Sequence, residues 1–479
     1  MPSSIWGRRR HGKTVKGASS IMDEMRCFCA SGQLGHGIPR PAFERGISLK
    51  PDYIGADCGS TDIGPYYLGA GTCDGHPDII RRDLEMVLLA GRRLDVPVIL
   101  GSAGSAGGEP HLQLTLRVLY EIAQRHRLSF HLAVIHAEVD KSYVLNKLAA
   151  NKARPCGRLH ELTAGHIERA TRIVGQMGME PFIKALDAGA DVIVAGRACD
   201  AAVFAAMPVW KGYDKGLAMH LGKIIECSSL SAEPGGRDAI MATLDRDGFV
   251  LESMNPIRRC TPHSVAAHSL YEQPDPFEVV EPGGRLDMTE SRYVPIDERR
   301  TRVTGSRWEP NPVYTIKLEG VEKLGYRYFS LGALRCPVST GQAKSILAKV
   351  EGIVGELLNG DFDPRDYRLK FRAYGVDGAM GDGETVRAQP LEIMVVTDVV
   401  ARTPEIAQAV CSVARYNLLH YFYDGILATG GNLAVPFVPA DVSGGEVYEF
   451  SLYHLIEVDD PCELFPMELI EIREGARRG

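Results

Sequence analysis

Residues 52–71 read DYIGADCGSTDIGPYYLGAG, and the reading of this stretch decides the fold. Tyr53, Ile54 and Ala56 make a short apolar run that breaks at Asp57. Small and polar residues follow: Cys58, Gly59, Ser60, Thr61, Asp62 and Gly64. A buried parallel strand entering a glycine-rich turn has this pattern, because both faces of the strand are covered and only its loop meets water. Glycine lets the backbone approach a ligand closely and take positive φ. In an open α/β sheet such a turn lies at the carboxyl end of a strand, where ligands bind. The plainer alternative is a strand-to-helix turn in which Ser60 or Asp62 caps the next helix. The density of hydroxyls and carboxylates favours a site.

The same order recurs on either side. Strands are expected over 26–30, 96–100, 129–135 and 190–195, each running into a small or polar turn. Those turns are 31–37 with His36, GSAGSAGGEP (101–110), His136-Ala137-Glu138-Val139-Asp140, and Gly196-Arg197-Ala198-Cys199-Asp200. Apolar residues at helical spacing predict helices over 78–94, 111–126 and 142–150. A short strand is expected over 157–162, then a helix capped by Thr163 and reaching Met177. Repetition of strand, turn and helix predicts an α/β, Rossmann-like parallel sheet with helices on both faces. Right-handed crossovers gather its turns at one edge. That edge would carry Asp57, Ser60, Thr61, Asp62, Ser102, Gly104, Ser105, His136, Glu138, Arg197 and Asp200. The stretch 210–320, with helices expected over 213–225 and 263–272 and a strand over 313–318, extends this unit over its ligand edge.

The last third changes pattern. Strands over 326–334, 367–374, 391–400 and 447–458 alternate with helices over 342–358 and from Thr403 to about residue 423. The order β-α-β-β-α-β is that of a ferredoxin-like α+β domain. The expected division is a disordered basic leader over 1–24, an α/β domain over 25–320 and the ferredoxin-like domain over 321–475. The break between the two folded units is expected near 319–335. The leader holds Arg8, Arg9, Arg10, His11, Lys13 and Lys16 without the apolar core of a secretory signal. A weak transit-type segment, a disordered extension and an upstream start all fit it.

With 479 residues, 45% of them hydrophobic, the chain can bury two or three cores. Its net charge of −7 argues against nucleic acid as a partner. No apolar run approaches membrane-span length, so no membrane partner is expected. The eleven cysteines lack paired ligand spacing, which predicts a reducing compartment, thus a cytoplasmic protein, and no tightly bound structural zinc. The basic leader keeps an organellar address open.

His136, Glu138 and Asp140 alternate along a strand end and so share a face if the strand continues. A histidine between carboxylates can bind a metal or relay a proton, whereas Glu138 or Asp140 can also simply start the next helix. Residues 101–108 could cradle an anion through backbone N–H groups, but lack the ending of a nucleotide P-loop and the register of GxGxxG. Arg197 could clamp the same anion or form an ordinary salt bridge. Cys260 with His263 and His268 suggests a nucleophile and bases, with helix positions as the stronger reading; Cys58 is the better thiol candidate.

Two longer runs resemble one family. SVAAHSLYEQPDPFEVVEPGGRLDM (264–288) and RTRVTGSRWEPNPVYTIKLEG (300–320), with GADCGSTDIGPYYLGAG (55–71), are similar to the acyclic terpene utilisation protein A (AtuA) family. FSLYHLIEVDDPCELFPMELIEI (450–472) resembles the small ferredoxin-like module found with that family. The resemblance implies catabolism of acids or their CoA thioesters and brings no catalytic residues.

Together these readings predict a catabolic enzyme, a lyase (hydro-lyase) or isomerase, working by proton transfer on a small carboxylic acid or acyl-CoA. Asp57, Asp62, His136 and Glu138 are the acid/base candidates. Ser60, Thr61, Ser102, Gly104, Arg197 and Asp200 are the substrate-binding candidates. No cofactor or metal is expected, CoA entering only as part of a substrate, and a homo-oligomer is expected. The rival reading is a non-catalytic assembly subunit of a catabolic complex.

Overall fold

The computed structural model describes residues 24–478 except 272, 387, 428 and 429. The basic leader and Glu272, the expected end of a helix, therefore lie outside the described residues apart from Glu24. The protein is a mixed α/β structure built on a large mixed sheet with a parallel centre.

Five strands make that centre, in the order Met25–Cys29, Tyr53–Asp57, Val98–Gly101, Val192–Ala195 and Phe130–Ile135. Every adjacent pair among them is parallel. All five residues of Tyr53–Asp57 are buried, as expected for a strand covered on both faces. The helix Pro77–Leu94 shows how a cover forms. Ile80, Leu84, Val87 and Leu88 fall on one face at helical spacing and are buried. Pro77 sits in its first turn, and His76 Nδ1 accepts the Asp78 N–H. Antiparallel strands flank the parallel centre. Ile240–Leu244 pairs with Met25–Cys29 on one side, and Met467–Arg473 pairs with Phe130–Ile135 on the other. The end of the chain thus returns to the first sheet.

The second sheet is antiparallel and runs Tyr367–Tyr374, Ile393–Ala401, Tyr314–Leu334, Asp441–Val458 and Ala153–Pro155. Helices Ala343–Leu357 and Pro404–Leu419 bury Ile346, Val350, Val354, Ala407, Val410 and Ala414 in its core. The two strands expected over 313–318 and 326–334 are one 21-residue strand, Tyr314–Leu334. It continues through 319 to Leu334, within the range where the break between units is expected, and its first half also pairs with Arg172–Gln176. Glu319 and Lys317, charged residues within this strand, are paired inside the protein. The helix expected from Thr163 to Met177 also divides. Thr163 does cap a helix, its Oγ1 accepting the His166 N–H, but that helix ends at Arg169. Ile173 and Val174 then continue as a strand, the conformation β-branched side chains favour. The strand expected over 157–162 is absent; Ala153–Pro155 is the strand there.

Candidate functional site

Two adjoining chambers lie at the carboxyl edge of the parallel centre. The larger, about 570 Å³, is lined from the first sheet by Ser60, Thr61, Asp62, Arg197 and Asp200. Thr315, Lys317, Glu319 and Tyr453 come from the second sheet, and Val279, Val280 and Glu281 from a small sheet within the middle stretch. The smaller, about 170 Å³, is lined by Asp57, Gly59, Ser60, Asp62, Asp200, Glu226, Cys227 and Arg237 among others. Ser60, Asp62, Asp200 and Glu226 belong to both walls.

The floor is a charged network. Arg197 donates through Nε and Nη2 to the two oxygens of Glu319, at 2.8 and 3.3 Å. Its Nη1 donates to Asp200 Oδ1 at 3.1 Å, Ser102 Oγ at 3.2 Å and the Ala198 carbonyl at 2.6 Å. Glu319 also accepts the Thr61 hydroxyl at 2.8 Å and faces Lys317 Nζ at 2.9 Å. Burial works against the charge of Glu319, but Arg197 and Lys317 outweigh it and hold its carboxyl down at about 2. Lys223 pairs with Glu226 at 2.6 Å. Burial, with Asp200 nearby, nevertheless pushes the Glu226 carboxyl up to about 8. Arg154 lines the larger chamber and has no ion-pair partner among the described residues.

Asp57 is set apart from this network. It is 4% exposed. Its Oδ2 accepts the Gly59 N–H at 3.0 Å, while its Oδ1 is buried without a partner among the described residues. Burial first, then the neighbouring Asp200, pushes its carboxyl well above the usual range. Gly59 takes φ 125°, and a Cβ there would meet Ser105 at 3.0 Å, so this turn needs glycine to present its N–H to Asp57. A carboxyl that keeps its proton has one O–H to donate and can still accept through its other oxygen. Such a group can donate a hydrogen bond or a proton to whatever enters the smaller chamber.

The structure brings together Asp57, Ser60, Thr61, Asp62, Arg197 and Asp200. His136, Glu138 and Gly104 are not brought to them, and Ser102 meets them only behind the wall, through Arg197 Nη1 at 3.2 Å. His136 lines neither chamber; its Nδ1 is 2.8 Å from Glu109 and its Nε2 3.4 Å from Glu468. Glu138 instead receives Arg172 Nε at 3.1 Å and the Glu109 N–H at 2.8 Å. The strand stops at Ile135, so the alternation that would have aimed both side chains at the site does not continue. Ser102 and Gly104 also line neither chamber. The turn after Val98–Gly101 is a backing for Arg197, not an anion cradle. Ser102 and Ala103 donate their N–H groups to the Gly196 and Ala195 carbonyls. Gly107, at φ 67°, lies so close that a Cβ would be 2.2 Å from the Arg197 nitrogen. Of the suggested thiols, Cys58 and Cys260 are buried and line neither chamber.

Sequence reasoning missed Lys223, Glu226, Glu281, Lys317 and Glu319. One signal was present: Thr315, Lys317 and Glu319 alternate with Ile316 and Leu318, which places polar groups on one face of a strand. Among the described residues, no three His, Cys, Asp or Glu side chains are arranged to hold a metal ion. No described helix is long and apolar enough to cross a membrane.

Comparison with curated proteins and with solved structures returned no match. Residues 84–438 match the model of the acyclic terpene utilisation family protein AtuA, a range that includes the two runs at 264–288 and 300–320 and begins after the Asp57 turn. The chain belongs to the AtuA family.

Proposed function

We propose that the protein is a catabolic enzyme that moves protons on a small carboxylic acid or its CoA thioester, by hydration and dehydration or by isomerisation, within the two chambers. The family's association with acyclic terpene utilisation supports a catabolic setting. One observation carries the chemistry: Asp57, which lines the smaller chamber, has a buried Oδ1 without a partner among the described residues. A structural carboxyl would have both oxygens engaged, because an unpaired buried oxygen costs about 1–3 kcal/mol. A general acid for a leaving hydroxyl needs one oxygen free and its pKa raised, and Asp57 meets both needs. Asp62 and Asp200, in both walls, are the candidate partners for the opposite proton transfer. Ser60, Thr61 and the free guanidinium of Arg154 are candidate contacts for the substrate's carboxylate or thioester. Arg197 is saturated by Glu319 and Asp200, so its part is to hold the floor in place.

The same reading treats the two sheets as a Rossmann-like unit over 25–320 and a ferredoxin-like unit over 321–475, joined within the strand Tyr314–Leu334. The order Tyr367–Tyr374, Ile393–Ala401, Tyr314–Leu334, Asp441–Val458 supports the second unit, while Met467–Arg473 pairs into the first sheet and Ala153–Pro155 and Arg172–Gln176 pair into the second. The test is a panel of hydroxy and unsaturated acids, each free and as its CoA thioester, scored for turnover and for melting temperature. Turnover of one member, with a rise in melting temperature at saturating ligand, supports the reading. Neither turnover nor a shift across the panel supports the assembly-subunit alternative instead.

A further inference from the structure

Cys199 stands at the N-cap of the 11-residue helix Asp200–Trp210, lines the larger chamber and makes no capping bond with its side chain. Its thiol donates to Glu281 Oε2 at 3.0 Å, and Glu281 lines the same chamber. The acid/base reading above uses neither residue. We propose that Cys199 is a nucleophile, with Glu281 as its base, and that it takes the acyl group of a CoA thioester onto its sulfur. This rests on the reading of the chambers as an acyl site and narrows the substrate class to thioesters.

Three features support the assignment. A nucleophile needs a base within hydrogen-bond reach, and here the base is already in place. The first-turn N–H groups of a helix favour negative charge at its N-terminus, so a sulfur at the N-cap gains stabilisation as its proton leaves. The chamber that Cys199 and Glu281 line shares Ser60, Asp62, Asp200 and Glu226 with the smaller one, whose wall holds Asp57 with its buried, unpartnered Oδ1. The other cysteines lack this set. Cys411 also faces a carboxylate, Asp441, but at 3.8 Å and away from both chambers.

Burial, then Glu281 and Asp200, hold the Cys199 thiol well above its ordinary range, so the resting group is the neutral thiol. Its proton must leave during attack. As Sγ bonds to the acyl carbon, Glu281 takes the thiol proton. The bond from that carbon to the CoA sulfur breaks, and Glu281 returns the proton to the departing thiolate. One thioester replaces another, so the exchange needs no oxidant and no further reactant.

The test is mass spectrometry of the full chain after incubation with acetyl-CoA and with 3-hydroxybutyryl-CoA, followed by peptide mapping and treatment with neutral hydroxylamine. The expected result is one acyl group per chain, on Cys199, released by hydroxylamine, absent from Cys199→Ala and formed at least about tenfold more slowly in Glu281→Gln. If either variant misfolds, protection of wild-type Cys199 from iodoacetamide by prior acylation gives the same answer. No adduct on the wild type, an adduct on another residue, or one that survives in Cys199→Ala overturns the proposal. Turnover of a panel acid without acyl-Cys199 would sink this inference and leave the acid/base reading standing. Acyl-Cys199 without any turnover would do the reverse.

Discussion

Replacing Glu319 with Gln should cost this protein about 3–5 kcal/mol of stability near neutral pH, and much less in acid. Glu319 is fully buried and neutralises two cations, Arg197 at 2.8 Å and Lys317 at 2.9 Å. Glutamine keeps the shape but leaves both cations without their buried counter-charge, and its amide turns a donor towards donors. Removing one partner of a buried ion pair is the expensive change, because the charge left behind stays desolvated. The ionisation of the group gives a second estimate. Its carboxyl falls from an ordinary 4.5 to about 2 in the fold, a shift worth about 3 kcal/mol. The two routes agree. The sign follows from the depression: the contribution is complete above pH 4.5 and is lost as pH falls from 4.5 towards 2. Urea unfolding of wild type and variant between pH 7 and pH 3 measures the gap directly. The gap should be widest at neutral pH and narrow steadily below 4.5. A gap under about 1 kcal/mol at pH 7, or one that stays constant with pH, would refute the reasoning.

Three further outcomes are expected. Gly107→Ala, where a Cβ would fall 2.2 Å from the Arg197 nitrogen, should cost more than about 2 kcal/mol. Gly157→Ala, also at positive φ but with no atom within 4 Å, should cost about 1 kcal/mol, and urea unfolding compares the pair. His220 is buried between Ser306 and Ser269, and burial pushes it down to about 3. The unfolded chain takes up a proton below pH 6.5 that the folded one refuses, so His220→Gln should lose stability less steeply between pH 6 and 4, by about 1.4 kcal/mol per pH unit in the unfolding free energy. His136→Ala, remote from both chambers, should leave kcat/KM for any panel substrate within about threefold of wild type.

The architecture was largely legible because parallel strands announce themselves. The five central strands were all expected from short apolar runs closed by small-residue turns, and the Asp57 turn was placed at the right edge. Local pattern failed where distant partners decide conformation. Residues 172–176 pair with Tyr314–Leu334, a partner about 140 residues away that no local pattern announces. His136 and Glu138 were misplaced in space for a related reason: a two-residue alternation aims side chains together only while the strand lasts. The acidic and basic residues of the floor escaped notice because each is ordinary alone. Lys223 and Glu226 fall at the end of an expected helix, and the pattern of that helix does not tell that the two are buried as a pair.

The central claim is that Asp57 is the acid of a reaction carried out between the two chambers. Asp57→Asn keeps the size of the side chain and its contact with the Gly59 N–H but cannot supply a proton. With a substrate from the panel, kcat of the variant should fall at least about a hundredfold while its melting temperature stays within a few degrees of wild type. Activity that persists in Asp57→Asn, or that falls only as far as stability falls, would contradict the account.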